Sequence, residues 1–305
     1  LPDDRSESEL RSWRTAVGGE ARVHDDVSVA ADAAFTSYDR YYPNAPDTVL
    51  GPSTSKRDTD EIYGAVRTAY SGIADTTLTI GVDGRRDHAA IIDTNGTKII
   101  DDDDRIVGAW GQVLYSAPES SPEDYELSLV GRIDDHSRSG ESRTFRIGGA
   151  YFLIDEHLKL MASTGTGFRA PSLSELFDPS FGNPNLEAQR SIGYEFGASV
   201  FPIAGGPWTL SSTWFATEYQ QKIGFNPSTF RSQNEPGASV DGLESSIVYG
   251  GHASPIAIRV YHTWQRSDDG NGNTLADTPQ HVAGAEITHR IQRGWFRVGA
   301  ERTGS

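Results

Sequence analysis

Hydrophobic and polar residues alternate with a period of two along almost the whole chain, and helical periodicity is scarce. Successive side chains of a strand point to opposite faces, so this alternation predicts strand after strand. Fourteen segments follow it, near 11–22, 27–39, 58–71, 75–87, 105–116, 123–134, 142–152, 157–167, 189–201, 207–220, 237–249, 255–266, 280–290 and 294–302. In 123–134, Tyr125, Leu127, Leu129, Gly131 and Ile133 fall on one face. Glu126, Ser128, Arg132 and Asp134 fall on the other, together with Val130. In 75–87, Leu78, Ile80 and Val82 alternate with Thr77, Thr79, Asp83 and Arg85.

Connections between the segments alternate short and long. His24-Asp25-Asp26, Ile73-Ala74, Ile154-Asp155-Glu156 and Ile291-Gln292-Arg293 are short. The stretches 40–57, 88–104, 168–188, 221–236 and 267–279 are long. A soluble sandwich shows the same facing pattern but has no reason to keep this parity. A membrane barrel has short turns on one side and long loops on the other. The fold class read from the pattern is therefore all-β, an antiparallel transmembrane up-and-down β-barrel. Arg67, Arg85 and Arg132 should point into a wet lumen, because Arg facing lipid at mid-depth costs about 2–4 kcal/mol. Tyr70, Tyr115 and Trp208 fall toward the short turns and Trp264 toward a long loop, where amphipathic rings favour the membrane interface.

Composition narrows the picture in three places. No apolar run approaches the roughly 18 residues of a membrane helix, which leaves only strands to cross a bilayer. A formal net charge of −16 excludes wrapping nucleic acid by phosphate neutralisation. With no Cys, disulfides and thiolate metal sites are excluded. The start, Leu1-Pro2-Asp3-Asp4, lacks a basic region followed by an apolar one, so a mature or trimmed N-terminus is expected.

The most specific stretch is 163–190. It contains Phe168-Arg169-Ala170-Pro171 and then Asn183-Pro184-Asn185-Leu186, between an ascending and a descending strand. Pro171 ends the strand pattern, Pro184 cannot donate to a ladder, and Asn183 and Asn185 suit turns. Ser172 with Glu175 has capping-box spacing and predicts one helical turn to Phe177. The physical reading of both boxes is a loop scaffold at the barrel rim; direct ligand contact is the other reading.

In these two boxes the sequence resembles the TonB-dependent outer-membrane receptors. Asn234, Ala238, Gly242, Leu243 and Glu244 resemble a further strand of that family, and Arg132-Ile133-Asp134-Asp135-His136 resembles a strand end entering an outer loop. The resemblance implies a bacterial outer-membrane location and contact with its lipid. It implies active uptake of a large scarce nutrient, a cobalamin or a ferric siderophore, driven by the TonB complex through a plug domain. No His lies between Arg169 and Asn183, where heme-taking members carry a ligand. Nothing in the chain resembles the plug. Family barrels have 22 strands, so residues 1–305 are expected to be the barrel portion, about fourteen strands of a larger barrel.

Asp101, Asp102, Asp103 and Asp104 are four adjacent carboxylates that loop parity places outside. Such a run repels itself unless cations neutralise it. Hard oxygen ligands suit calcium, with Asp87 and Asp93 as further candidate ligands, and the resemblance implies calcium-ordered acidic loops in the cobalamin branch. A solvated acidic loop is the alternative. A passive porin-type channel is the second functional reading. An enzyme is not expected: no Gly-x-Ser-x-Gly element occurs, and Asp134, Asp135 and His136 only mimic acid–base chemistry.

Overall fold

Long alternating segments without helix-forming runs bury their backbone polar groups by pairing with their neighbours in sequence. The computed structural model describes residues 9–42, 55–92, 97–117, 125–154, 156–178, 181–250, 254–275, 278–291 and 294–304. The strands are β1 (Glu9–His24), β2 (Val27–Tyr42), β3 (Ser55–Ile73), β4 (Thr76–Ile92), β5 (Lys98–Ser116), β6 (Tyr125–His136), β7 (Gly140–Ile154) and β8 (Leu158–Arg169). A short helix, α1 (Leu173–Phe177), precedes β9 (Gln189–Val200), β10 (Trp208–Asn226), β11 (Arg231–Glu235), β12 (Ala238–Tyr249), β13 (Ile256–Asp268), β14 (His281–Ile291) and β15 (Gly294–Gly304). They form one sheet in sequence order, β11 alone lying off the path and pairing only with β10. The sheet is not closed among the described residues: β1 and β15 are its edges.

Each of the fourteen predicted segments is a strand. The structure differs in two ways. Several strands run further than the alternation: β3, β5 and β10 each have 19 residues. A strand needs only about 9–11 residues to cross hydrocarbon. Beyond that depth both faces meet water, so the facing pattern disappears while ladder hydrogen bonds continue. The second difference is β11, a five-residue strand inside the long stretch 221–236.

The two sides of the sheet differ as expected. Asp25-Asp26 and Ala74-Asp75 close β1–β2 and β3–β4 in two residues on the short side. The connections 170–188 and 269–280 lie on the long side, as does the projecting β10–β11 hairpin. That side also holds the tight turn between β6 and β7, where Gly140 has φ +71°, a conformation suited to glycine. The stretches 43–54 and 118–124 fall outside the described residues.

A single layer has almost no core. Few apolar side chains are buried, among them Ala30, Ile91, Ile100, Leu173 and Leu176. Large apolar residues instead stand exposed in rows. Register places Phe196, Trp214, Leu243 and Trp264 side by side across β9, β10, β12 and β13. Soluble monomers rarely expose patches of this extent. The opposite face carries Arg67 with Asp32, Arg85 with Asp87, and Arg132 with Asp83 and Asp134. All three arginines therefore share the polar face, as the alternation requires. Tyr70, Tyr115 and Trp208 lie near the short side and Trp264 toward the long one.

The two faces should respond oppositely to charge. Leu129→Arg is expected to lose about 2–4 kcal/mol of stability in bilayers, whereas Ser128→Arg, one residue away on the polar face, should lose far less. Urea unfolding from lipid vesicles, followed by tryptophan fluorescence, measures both.

Candidate functional site at the loop rim

The long side is braced by one set of contacts centred on Glu175. Ser172 caps α1: its Oγ accepts from the Glu175 N–H at 3.2 Å, and the Ser172 N–H donates to Glu175 Oε2 at 2.7 Å. Both halves of the predicted capping box are present. Arg169, the last residue of β8, then donates from both terminal nitrogens to the same carboxylate, at 3.0 and 2.9 Å. Its Nε donates to Gln189 Oε1 at 2.5 Å, tying the end of β8 to the start of β9. Burial acts to raise the Glu175 pKa, but the hydrogen bonds from Arg169 and Ser172 outweigh it and hold the carboxyl below its ordinary value. Leu173 and Leu176 are buried, and α1 packs against β5.

The second box is docked just as firmly. The Asn183 N–H donates to the Glu175 carbonyl at 2.8 Å, its Nδ2 donates to the Ser232 carbonyl at 3.0 Å, and its Oδ1 accepts from the Asn185 N–H at 3.0 Å. The Leu186 N–H returns to the Asn183 carbonyl at 3.3 Å, and the Ser232 N–H donates to the Phe181 carbonyl at 2.7 Å. Asn234 clamps Glu187 at both ends, accepting from its N–H at 2.8 Å and donating to its carbonyl at 2.9 Å. The turn built by Asn183 to Leu186 thus rests on β11. Asn234 was legible as a family-like residue; Ser232 and Arg231, which donates to the Gly182 carbonyl at 2.9 Å, carried no signal in the sequence.

Motif residues accordingly divide by exposure. Pro171 is buried. The Phe168 ring lies 4.6 Å from that of His136, with the Arg190 guanidinium 5.2 Å from its centroid. Pro184 and Asn185 are exposed, and Arg169 is exposed but engaged at every nitrogen. Of the two boxes, Pro184 and Asn185 present open surface.

The acidic run stands differently from its expected loop. Asp101 to Asp104 lie within β5, paired with Ala90, Ala89, His88 and Asp87 of β4. Pleating sends Asp101 and Asp103 to one face and Asp102 and Asp104 to the other. Asp101 meets Lys98 at 2.8 Å and His88 at 3.4 Å; Asp103 meets Arg86 at 2.8 Å. Asp102 pairs with Arg138, and Asp104 accepts from Ser137 Oγ at 2.6 Å. Arg138 also donates to the Asp103 carbonyl at 2.8 Å and lies 4.9 Å from the Phe177 ring centroid. The four carboxylates do not converge, so they do not fit one shared calcium ion. Among the described residues no group of three or more His, Asp or Glu could hold a metal. Asp93 lies outside the described residues.

Below the rim, the polar face carries a trough of about 440 Å³ whose lining includes Arg146, Ser163, Glu195, Thr213, Thr217 and Glu244. Higher on the same face, Arg132 bridges Asp83, at 2.7 Å from both oxygens, and Asp134, at 2.6 Å. Gly108 makes this possible, since a Cβ there would collide with the Arg132 guanidinium and the Asp134 carboxylate. Asp134 is thus committed to Arg132, Asp135 alternates to the other face, and His136 lies against Phe168. These three residues form no acid–base array.

A family model described as "TonB dependent receptor-like, beta-barrel" matches residues 2–305. Over 100 residues, 33% of this chain and 15% of the relative, the sequence is 36% identical to the vitamin B12 transporter BtuB of Photobacterium profundum. Among solved structures, the copper transporter OprC superposes with TM-score 0.70 at 17% identity, covering 94% of this chain and 50% of that one. The siderophore receptor PirA from Pseudomonas aeruginosa superposes with TM-score 0.62 at 16% identity, covering 97% and 62%. The chain therefore spans about half to three-fifths of the structures it matches.

The Glu175 bracket has a defined pH response. A carboxyl whose folded-state pKa is lowered contributes stability that is present above the ordinary value of 4.5 and lost as acidification passes through the lowered one. Glu175→Gln should remove that dependence and loosen α1 by about 1–2 kcal/mol, a charge-assisted hydrogen-bond value discounted for the exposure of Arg169. Hydrogen exchange of the Leu176 and Asn183 amides between acid and neutral pH reads both effects.

Proposed function

The chain belongs to the TonB-dependent receptor-like β-barrel family, and from that premise we propose that the protein takes up a large scarce nutrient, a cobalamin or a ferric siderophore, across the bacterial outer membrane. Family and fold are those of transport receptors rather than enzymes. Exposed apolar rows face lipid, and the polar face lines the path. In this reading the TonB complex supplies the work through a plug domain. The observation that carries the proposal is the rim: both family boxes are spent on fixing long outer loops above a polar wall. The family match favours active transport over a passive pore.

Within this reading, Phe168, Arg169, Pro171, Asn183 and Leu186 hold the rim in place, and Pro184 and Asn185 stand where a ligand arrives. Recognition falls to whatever the braced loops present. The likeness to a vitamin B12 transporter supports a cobalamin; the fold likeness to a siderophore receptor is compatible with either ligand.

Three measurements check this. The full-length protein in detergent should bind either cyanocobalamin or a ferric siderophore saturably and be nearly silent in planar bilayers; steady large conductance without ligand binding would favour the passive channel. Arg169→Ala should weaken that binding by roughly tenfold, about 1.4 kcal/mol, with the barrel still folded by heat-modifiable electrophoretic mobility. Calcium chelation should leave hydrogen exchange of the Asp101–Asp104 amides unchanged, since each carboxylate already has a protein partner.

A further inference from the structure

His262 on β13 and His281 at the start of β14 take no part in the rim or the polar wall. They stand diagonally across one antiparallel ladder: His262 is opposite Ala283, and His281 is opposite Trp264. His262 Nε2 and His281 Nδ1 are 3.2 Å apart. The rings are nearly parallel, 20° between planes with centroids 5.4 Å apart. Both residues are exposed. Alternation puts them on the apolar face with Trp264, and His281 adjoins the long connection, which places the pair in the outer interfacial belt.

We propose that His262 and His281 form a two-imidazole site for a nitrogen-seeking divalent transition ion: Cu²⁺, Ni²⁺ or Zn²⁺. Two imidazole nitrogens on one tetrahedral ion, each at about 2.0–2.1 Å, stand about 3.3 Å from one another. The observed separation of 3.2 Å is close to that spacing, on strands whose register is fixed by the ladder, and a ring rotation that makes both lone pairs converge completes the site.

Neighbours on that face select the ion. In register beside the pair lie Ser245, Ala283, Trp264 and Gly304, with the Arg302 position opposite Ala283 on the same face. None is a carboxylate, so calcium and magnesium find no hard anionic oxygen, while imidazole suits copper, nickel and zinc. The protein supplies two ligands and water or lipid head-group oxygens complete the shell, which makes the ion exchangeable. In the metal-free pair one imidazole N–H donates to the bare nitrogen of the other. Binding needs both facing nitrogens bare, so the donor ring carries its proton on its far nitrogen instead, Nδ1 for His262 or Nε2 for His281. A neutral pair keeps both protons through this exchange. The site lies on the face away from the trough and does not depend on the transport reading.

The test uses tag-free protein in detergent micelles, titrated with Cu²⁺ and with Ni²⁺. One equivalent of saturable, exchangeable binding is expected, with a Cu²⁺ paramagnetic-resonance spectrum showing two coordinated nitrogens. His262→Asn and His281→Asn should each abolish the two-nitrogen signature, while His289→Asn keeps it; calcium and magnesium in excess should not compete. Both substitutions are at exposed positions, and heat-modifiable mobility verifies folding. If the wild type binds no more Cu²⁺ than the His262→Asn/His281→Asn double variant, or if either single variant retains the two-nitrogen spectrum, the site does not exist.

Discussion

A strand in hydrocarbon has no water to satisfy its N–H and C=O groups, so each must bond to a neighbouring strand. Everything else in this molecule follows from that requirement. It forces consecutive segments into one antiparallel ladder. It leaves each strand two independent faces, one that must be apolar and one free to be charged. The usual arrangement of a folded chain is thereby inverted: the large apolar residues are the exposed ones, and the ion pairs are partly shielded on the polar face.

The rim solves a different problem. Above the membrane the ladder no longer decides the structure, and long connections face a large entropic cost if they are to hold shape. The chain meets it with short-range hydrogen bonds from residues that resist regular structure. Ser172, Asn183 and Asn234 bond backbone groups that no strand partner serves. Arg138 joins the β6–β7 turn to the acidic part of β5 and to Phe177 of α1. The acidic run, which looked like a free loop, is partnered residue by residue, Asp101 by Lys98, Asp102 by Arg138, Asp103 by Arg86 and Asp104 by the Ser137 hydroxyl.

The wall was more legible in the sequence than the rim, for a physical reason. Alternation is imposed on every residue that crosses lipid, so Leu127, Leu129 and Ile133 announce a strand without help from the rest of the chain. The capping box at Ser172 and Glu175 was readable too, because its partners are three residues apart. Asp101 to Asp104 were misplaced into a loop because strand pairing outlasts the membrane while facing preference does not. β11 escaped notice since Arg231 to Glu235 has no apolar face at all; it exists through pairing with Lys222 to Asn226 and through its contacts to the Asn183 turn. Contacts between residues some 50 positions apart, such as Asn183 with Ser232, leave no local trace.

The isolation of β11 from the main ladder has a consequence for how the outer surface can change. β10 is shared: its lower length pairs with β9 and β12 and its upper length with β11 alone. An insertion at the hairpin tip, between Phe225 and Phe230, alters nothing in the hydrogen-bond register of the wall. The wall keeps its phase while the tip is free to be rewritten, so this hairpin is a place where novelty in surface chemistry carries little penalty for assembly.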